Sequence, residues 1–158
     1  DDLDREFATL AQSDELCTRL MTVPGVGPVT ALRFASAIDQ VQRFDNSRSL
    51  QSYLGLVPGE RSSGDTKHRT SLTKAGNTHV RWMLVQAAWS AWRRRQSDPM
   101  VQWARQIAER RGKHVAVVAL ARKIAGILYA IWRDSTCYDP SRGAQWIDSD
   151  GVVYSPKS

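Results

Sequence analysis

Apolar residues recur every three or four positions along most of the chain, a spacing that places them on one face of an α-helix. This pattern predicts one or two helices in residues 2–21, a helix over residues 31–38 and a short helix that ends at Tyr53. Asp45 or Asn46 is the expected N-cap of the short helix, because either side chain can accept hydrogen bonds from free backbone amides. No stretch shows the strong two-residue alternation of a half-buried strand.

The second half of the chain predicts three longer helices after a polar segment, residues 55–73, which is rich in Gly, Ser, Pro and Thr. These helices are expected over residues 76–95, 98–111 and 114–133. The last of them is the most hydrophobic and is expected to be central to the core, whereas residues after 133 are expected to be irregular. The predicted fold class is therefore mainly α, a helical, bundle-like domain.

Basic residues are concentrated in one part of the sequence. The chain has 158 residues and a formal net charge of +6. Residues 60–123 hold 14 basic and four acidic residues, whereas residues 1–20 hold two basic and six acidic residues. Such a cluster is typical of a surface that binds nucleic acid, although a solvated helical face gives the same pattern.

The cysteines and acidic residues exclude some classes of site. Cys17 and Cys137 are far apart and lack metal-binding spacing, which argues against a disulfide framework or a zinc site. No set of spaced acidic ligands is visible, so no metal site is predicted in this sequence. The most apolar stretch has Arg122 and Lys123 at its centre, which favours a buried helix over a membrane span. We therefore expect a cytoplasmic protein.

The segment Pro24-Gly25-Val26-Gly27 separates two predicted helices and fits a helix-hairpin-helix motif over residues 16–38. Glycines permit the tight turn, and the helix that follows presents unpaired amides and the positive end of its dipole. A phosphate can bind there without any reading of sequence. Gly25 and Gly27 are therefore candidate nucleic-acid-binding residues, and a plain scaffold turn is the alternative.

The tripeptide Ser62-Ser63-Gly64 stands in the polar segment among several cations. A hydroxyl beside cations can attack a phosphodiester, because the cations stabilise the charge that builds on the phosphoryl oxygens. Taken alone, the tripeptide is more typical of a turn. The cations near it in sequence are Arg61, Lys67, Arg69, Lys74 and Arg81.

Taken together, these motifs resemble a known family. Residues 21–81 resemble the carboxy-terminal transposase domain of the bridge-RNA-guided insertion-sequence transposases, a group that includes the Piv-like DNA invertases. The matching blocks are the Pro-Gly-Val-Gly hairpin, Tyr-Leu-Gly-Leu-Val-Pro at 53–58, Ser-Ser-Gly at 62–64, and Lys74-x-Gly76-Asn77 with Arg81.

The resemblance implies a DNA transposase or recombinase that forms a covalent phosphoserine link to DNA while a guide RNA selects the sites. The family's serine maps onto Ser63, with Ser62 as the fallback, and Lys74 and Arg81 are expected beside it. Asn77, together with the loop cations, is then a candidate contact to nucleic acid. The polar segment becomes the catalytic loop of the helical domain.

The resemblance also implies a particular domain organisation. An amino-terminal RuvC-like domain that binds Mg2+ would precede residues 1–15, the end of a connector helix. Residues 16–134 would form the serine transposase domain, and residues 135–158 an irregular tail. On this interpretation the 158 residues hold no cofactor, are inactive alone and act within a homo-oligomer on DNA and guide RNA.

Other residues have two interpretations each. The run Arg93-Arg94-Arg95 ends a predicted helix and either contacts a nucleic-acid backbone or is simply solvated. Trp82 and Trp89 are seven residues apart and share a helical face, for which a core or interface stripe is favoured over base stacking.

Two other functions stay open at this point. One is a non-catalytic helix-hairpin-helix module that binds nucleic acid, and the other is an assembly module that joins copies through apolar helices. In both, Ser62 and Ser63 only shape a turn. The ordered basic residues around these serines favour the enzyme.

Overall fold

The computed structural model describes residues 2–56, 74–141, 146–147 and 153–154. The described part is mainly helical, as predicted, and residues 2–21 form two helices. The helices are α1 (Asp2–Ser13), α2 (Glu15–Leu20), α3 (Pro28–Ile38), α4 (Ser47–Tyr53), α5 (Lys74–Arg94), α6 (Pro99–Arg111) and α7 (Lys113–Asp134). A 3-10 turn, Val41–Arg43, precedes α4. The tail adds an antiparallel pair of two-residue strands, β1 (Trp146–Ile147) and β2 (Val153–Tyr154), which the sequence pattern did not predict.

Local capping signals explain most helix ends. The Asn46 side chain, rather than that of Asp45, caps α4 and accepts a hydrogen bond of 2.9 Å from the Ser49 amide. Asp98 caps α6, where Pro99 occupies the first position. Helix α5 starts at Lys74, two residues before the predicted Gly76.

Helix α7 is the centre of the core, as its apolar sequence predicted. It packs against α2, α4, α5 and α6. By length and composition it is apolar enough to cross a membrane, yet it carries ten buried residues and half-buried Arg122 and Lys123 at its middle. The buried residues are Ala116, Val117, Ala119, Leu120, Ala121, Ile124, Ala125, Leu128, Tyr129 and Ile131. These contacts identify α7 as the core helix of this fold.

The residues that precede the polar segment are held against α7 by hydrogen bonds. The Gln51 side chain donates from Nε2 to the carbonyl of Arg122 at 2.9 Å. Gly126 permits this close approach, because a Cβ there would lie 2.9 Å from that same nitrogen. The Tyr129 hydroxyl donates to the carbonyl of Phe44 at 3.1 Å. The region around α4 is thus held against the core at both ends.

Burial of the Lys123 side chain makes the stability of the fold depend on pH. Burial lowers the pKa of Lys123 from its usual 10.5 to about 8. Between these values the unfolded chain binds the proton and the folded chain does not, so stability rises with pH over this interval. Lys123→Met removes the buried charge and should raise the free energy of unfolding at pH 7 by about 1–2 kcal/mol.

Urea unfolding at pH 7 and pH 9.5 checks this prediction. The stability gap between Lys123→Met and the unsubstituted chain should narrow at the higher pH, because the lysine is then neutral in the folded state. The comparison stops below pH 10. Above that pH the contribution of Tyr138 to stability falls as pH rises, because burial and a hydrogen bond to Asp98 raise the pKa of its hydroxyl. A gap of constant size would contradict the prediction.

Candidate catalytic and nucleic-acid-binding site

The predicted site residues divide into three groups. Arg61, Ser62, Ser63, Lys67 and Arg69 lie outside the described residues. The backbone of Lys74 and Asn77 is described as the first turn of α5. The remaining candidates, whose side chains are described, are Gly25, Gly27, Arg81, Arg93, Arg94 and Arg95.

A well-formed helix end precedes the polar segment, whose residues 57–73 lie outside the described part of the chain. Gly55 has a φ of +72°, and its amide donates to the Ser52 carbonyl at 3.0 Å. The Leu56 amide reaches back to the Gln51 carbonyl at 2.9 Å. This pair of bonds is a Schellman motif, which requires a left-handed residue and therefore favours glycine. Leu54 and Leu56 are both buried, so the backbone is anchored immediately before residue 57.

Arg81 lies at this anchored end of the loop. Its Nη1 atom is 2.9 Å from the point that a Cβ on Gly55 would occupy. Positions 74, 77 and 81 follow one another at helical spacing and therefore share one face of α5. The fold thus brings together the Tyr-Leu-Gly-Leu-Val-Pro block and the Lys74-to-Arg81 block, which are separate in sequence.

The glycine hairpin between α2 and α3 packs against the middle of α5. Gly25 has a φ of +85°, and a Cβ there would lie only 2.2 Å from the carbonyl oxygen of Ala87. Gly27 is the N-cap residue of α3, and the Ala31 amide donates to its carbonyl at 2.9 Å. The first amides of α3 therefore have no intrahelical acceptor. Gly25 has a packing role that the motif alone did not reveal.

A cleft of about 240 Å3 joins the hairpin to the end of α5. Arg94 and Arg95 form one wall, and Ser90 lies one turn earlier on the same helix. The opposite wall consists of Met21, Val23, Gly25, Val26 and Gly27. The two glycines and these two arginines were predicted separately as contacts to nucleic acid, and the fold places them around one concave surface. Arg93 is exposed but does not line this cleft.

Gly25→Ala is expected to lower the free energy of unfolding by about 2–5 kcal/mol. A left-handed φ costs an alanine about 1–2 kcal/mol, and a methyl group forced against backbone costs about 1–3 kcal/mol more. Gly27→Ala is the matched control, since nothing lies within 4 Å of its added Cβ. Losing the N-cap glycine should cost less than about 1 kcal/mol. Urea unfolding of both variants measures the difference, and equal losses would contradict the packing role.

The tryptophans of α5 divide into buried and exposed residues. Trp92 is 7% exposed, and the guanidinium of Arg105 lies 4.5 Å from its ring and donates to its carbonyl. Trp82, in contrast, is 58% exposed, so of the expected core or interface stripe only the interface interpretation is left for this residue. Its ring stacks on His79. Helix α3 and helix α7 pack against the other side of α5, which leaves this face outside the core.

The geometry defines a helical domain with cationic side chains at both ends of one long helix. The model of the IS116/IS110/IS902 transposase family matches residues 17–103, which include the hairpin, the polar loop and α5. The chain therefore belongs to the IS116/IS110/IS902 family of transposases, a finding that agrees with the resemblance to insertion-sequence transposases in the motifs.

Curated relatives support the same family. The transposase for insertion sequence element IS1111A of Coxiella burnetii is 35% identical and aligns with 82% of this chain and 36% of its own length. A probable family 20 transposase of Pseudomonas aeruginosa is 32% identical over 87% of this chain and 41% of its own. This chain thus spans less than half the length of these relatives. No solved structure matches it.

Proposed function

We propose that this chain is the serine-nucleophile part of an RNA-guided DNA transposase. The observation that carries the proposal is the approach of Arg81 to Gly55, which joins two blocks of the family resemblance at the ends of the polar loop. That loop holds the two candidate nucleophiles. A cation at the base of such a loop is suited to stabilise charge on a phosphate that the loop contacts.

In the proposed reaction, Ser63 attacks a phosphodiester of DNA. A bond forms between its Oγ atom and phosphorus as a bond from phosphorus to a deoxyribose oxygen breaks. The serine gives up its proton, and the leaving oxygen takes one. The cations of Lys74 and Arg81 stabilise the added negative charge on the phosphoryl oxygens. The second half of the reaction reverses these steps with a different strand and so rejoins DNA.

The proposed contacts that hold the DNA or guide-RNA backbone lie at both ends of α5. At one end are Asn77 and the loop cations Arg61, Lys67 and Arg69. At the other end, we assign the contact to a helix-hairpin-helix element, whose Gly25 and Gly27 line the same cleft as Arg94 and Arg95. The rise of an α-helix separates Arg81 from Arg94 by about 20 Å along the axis, or about six base pairs of duplex.

The proposal assigns metal chemistry to another part of the full-length protein. In the described part of this chain, no three His, Cys, Asp or Glu side chains group in a way that could hold a metal ion. We propose that Mg2+ binds to a RuvC-like domain of the full-length protein, and the serine step above uses this chain's residues only. We further propose a guide RNA as partner, a homo-oligomeric assembly, a cytoplasmic location and no recombination by these 158 residues alone.

Covalent capture tests the proposed function. Full-length protein, guide RNA and end-labelled DNA are mixed, denatured and separated by electrophoresis. A protein–DNA adduct is expected in the unsubstituted protein and in Ser62→Ala, and no adduct is expected in Ser63→Ala. An adduct that persists in both variants removes both serines as nucleophiles and leaves the non-catalytic binding module as the better interpretation.

A further inference from the structure

One face of α5 carries exposed and half-buried aromatic rings that the proposed reaction does not use. The rings of Trp82 and His79 are nearly parallel, with centroids 6.1 Å apart and planes 20° apart. Residues three or four positions apart continue this face as a stripe along the helix. The stripe consists of His79, Trp82, Gln86, Trp89 and Arg93.

The stripe is cationic as well as aromatic. The Nζ atom of Lys113 lies 5.4 Å from the ring centroid of Trp89. Arg93 ends the stripe, and the sequence of α5 contains neither Asp nor Glu. Rings set among cations without carboxylates suit a ligand that has both flat bases and negative phosphates. Charge complementarity therefore favours nucleic acid over an apolar protein surface.

The exposed ring pair lies in the first half of α5. His79 is five residues after Lys74, where the chain returns from the polar loop, which is about 7.5 Å along the helix axis. Arg81 belongs to the same turn and contacts Gly55 at the other end of the loop. Positions 74, 77 and 81 lie roughly a third of a turn around the helix from the stripe, so the rings form a surface beside the Lys74-to-Arg81 face and separate from it.

We infer that Trp82 and His79 form a stacking platform for an unpaired base of the DNA that the protein binds. This inference rests on the proposed function. The base must be unpaired and extruded from the helix, because a base within a duplex is covered on both faces by its neighbours. Stacking tolerates any sequence, since every base has a π-face, and this leaves site selection to a guide RNA.

Binding to a gapped DNA duplex tests the inference. The full-length protein is titrated with a duplex that has a short single-stranded gap, and with the same duplex whose gap nucleotides are abasic. Trp82→Ala should weaken binding to the normal gap by about 5- to 100-fold. Removal of the bases should weaken binding of the unsubstituted protein similarly and add nothing to the loss in Trp82→Ala.

Matched variants separate stacking from other effects. Trp82→Phe keeps a flat ring and should restore most of the affinity, whereas Gln42→Ala, exposed on the 3-10 turn outside the stripe, should leave it unchanged. The inference is overturned if the loss of affinity from Trp82→Ala and the loss from the abasic gap are additive. It is likewise overturned if Trp82→Ala weakens only the binding of guide RNA. It is also overturned if Trp82→Ala leaves DNA binding intact and instead changes the oligomeric state, as expected of a protein interface.

The same experiment distinguishes this platform from the proposed nucleophile. Ser63→Ala should lose the covalent adduct and keep the full effect of abasic nucleotides. If the adduct persists in Ser63→Ala while the abasic effect also persists, the assignment of the nucleophile is wrong and the stacking platform stands. If the adduct depends on Ser63 and the abasic nucleotides have no effect, the platform is wrong and the nucleophile stands.

Discussion

Ser63→Ala in the full-length protein is expected to abolish recombination between donor and target DNA, by at least about 1,000-fold. Without the Ser63 hydroxyl, no phosphoserine link can form at this residue. Folding and binding of guide RNA should be unaffected. Counting recombined junctions from paired plasmids measures the activity, and circular dichroism with an RNA-binding titration provides the controls.

Two further variants make this prediction specific. Ser63→Cys should retain a trace of recombination, because a thiolate is a nucleophile but a longer and softer one. Ser62→Ala should retain substantial activity. Recombination at the unsubstituted level by Ser63→Ala would contradict the assignment and move the proposed role to Ser62.

The helices could be predicted because their signals are local. Asn46 caps α4, Asp98 and Pro99 start α6, and Gly112 with a φ of +93° separates α6 from α7. Each signal acts within one turn of helix, so the sequence alone reveals it. The apolar content of α7 likewise predicted its burial, because the most hydrophobic helix gains most from leaving water.

The arrangement of the site could not be predicted in the same way. Helical spacing places Trp82 and Trp89 on one face, but only the packing of α3 and α7 decides which face of α5 meets the core. The contact of Gly25 with Ala87 and the cleft with Arg95 likewise depend on where the hairpin docks. A glycine chosen for a tight turn and one chosen for a close approach look the same in sequence.

Reversing two charges together, in Lys74→Glu with Arg81→Glu, is expected to weaken DNA binding at least about 10-fold near physiological salt. Both positions lie on one face of α5, and Arg81 marks the side that faces the start of the loop. Each lost phosphate contact should also lower the slope of log affinity against log salt, by about two in total for the pair. Titrations at several salt concentrations measure both quantities.

Lys157→Glu is the control for net charge, because it lies outside the basic cluster in sequence. One reversed charge at this position should weaken binding only slightly and leave the salt slope nearly unchanged. Equal effects per reversed charge at both places would mean that DNA responds to the overall field of the protein and not to this face of α5. A larger loss of affinity with an altered slope at Lys74 and Arg81 would instead mean that phosphates lie directly against that face. That result would place the DNA backbone where the proposed serine reaction needs it.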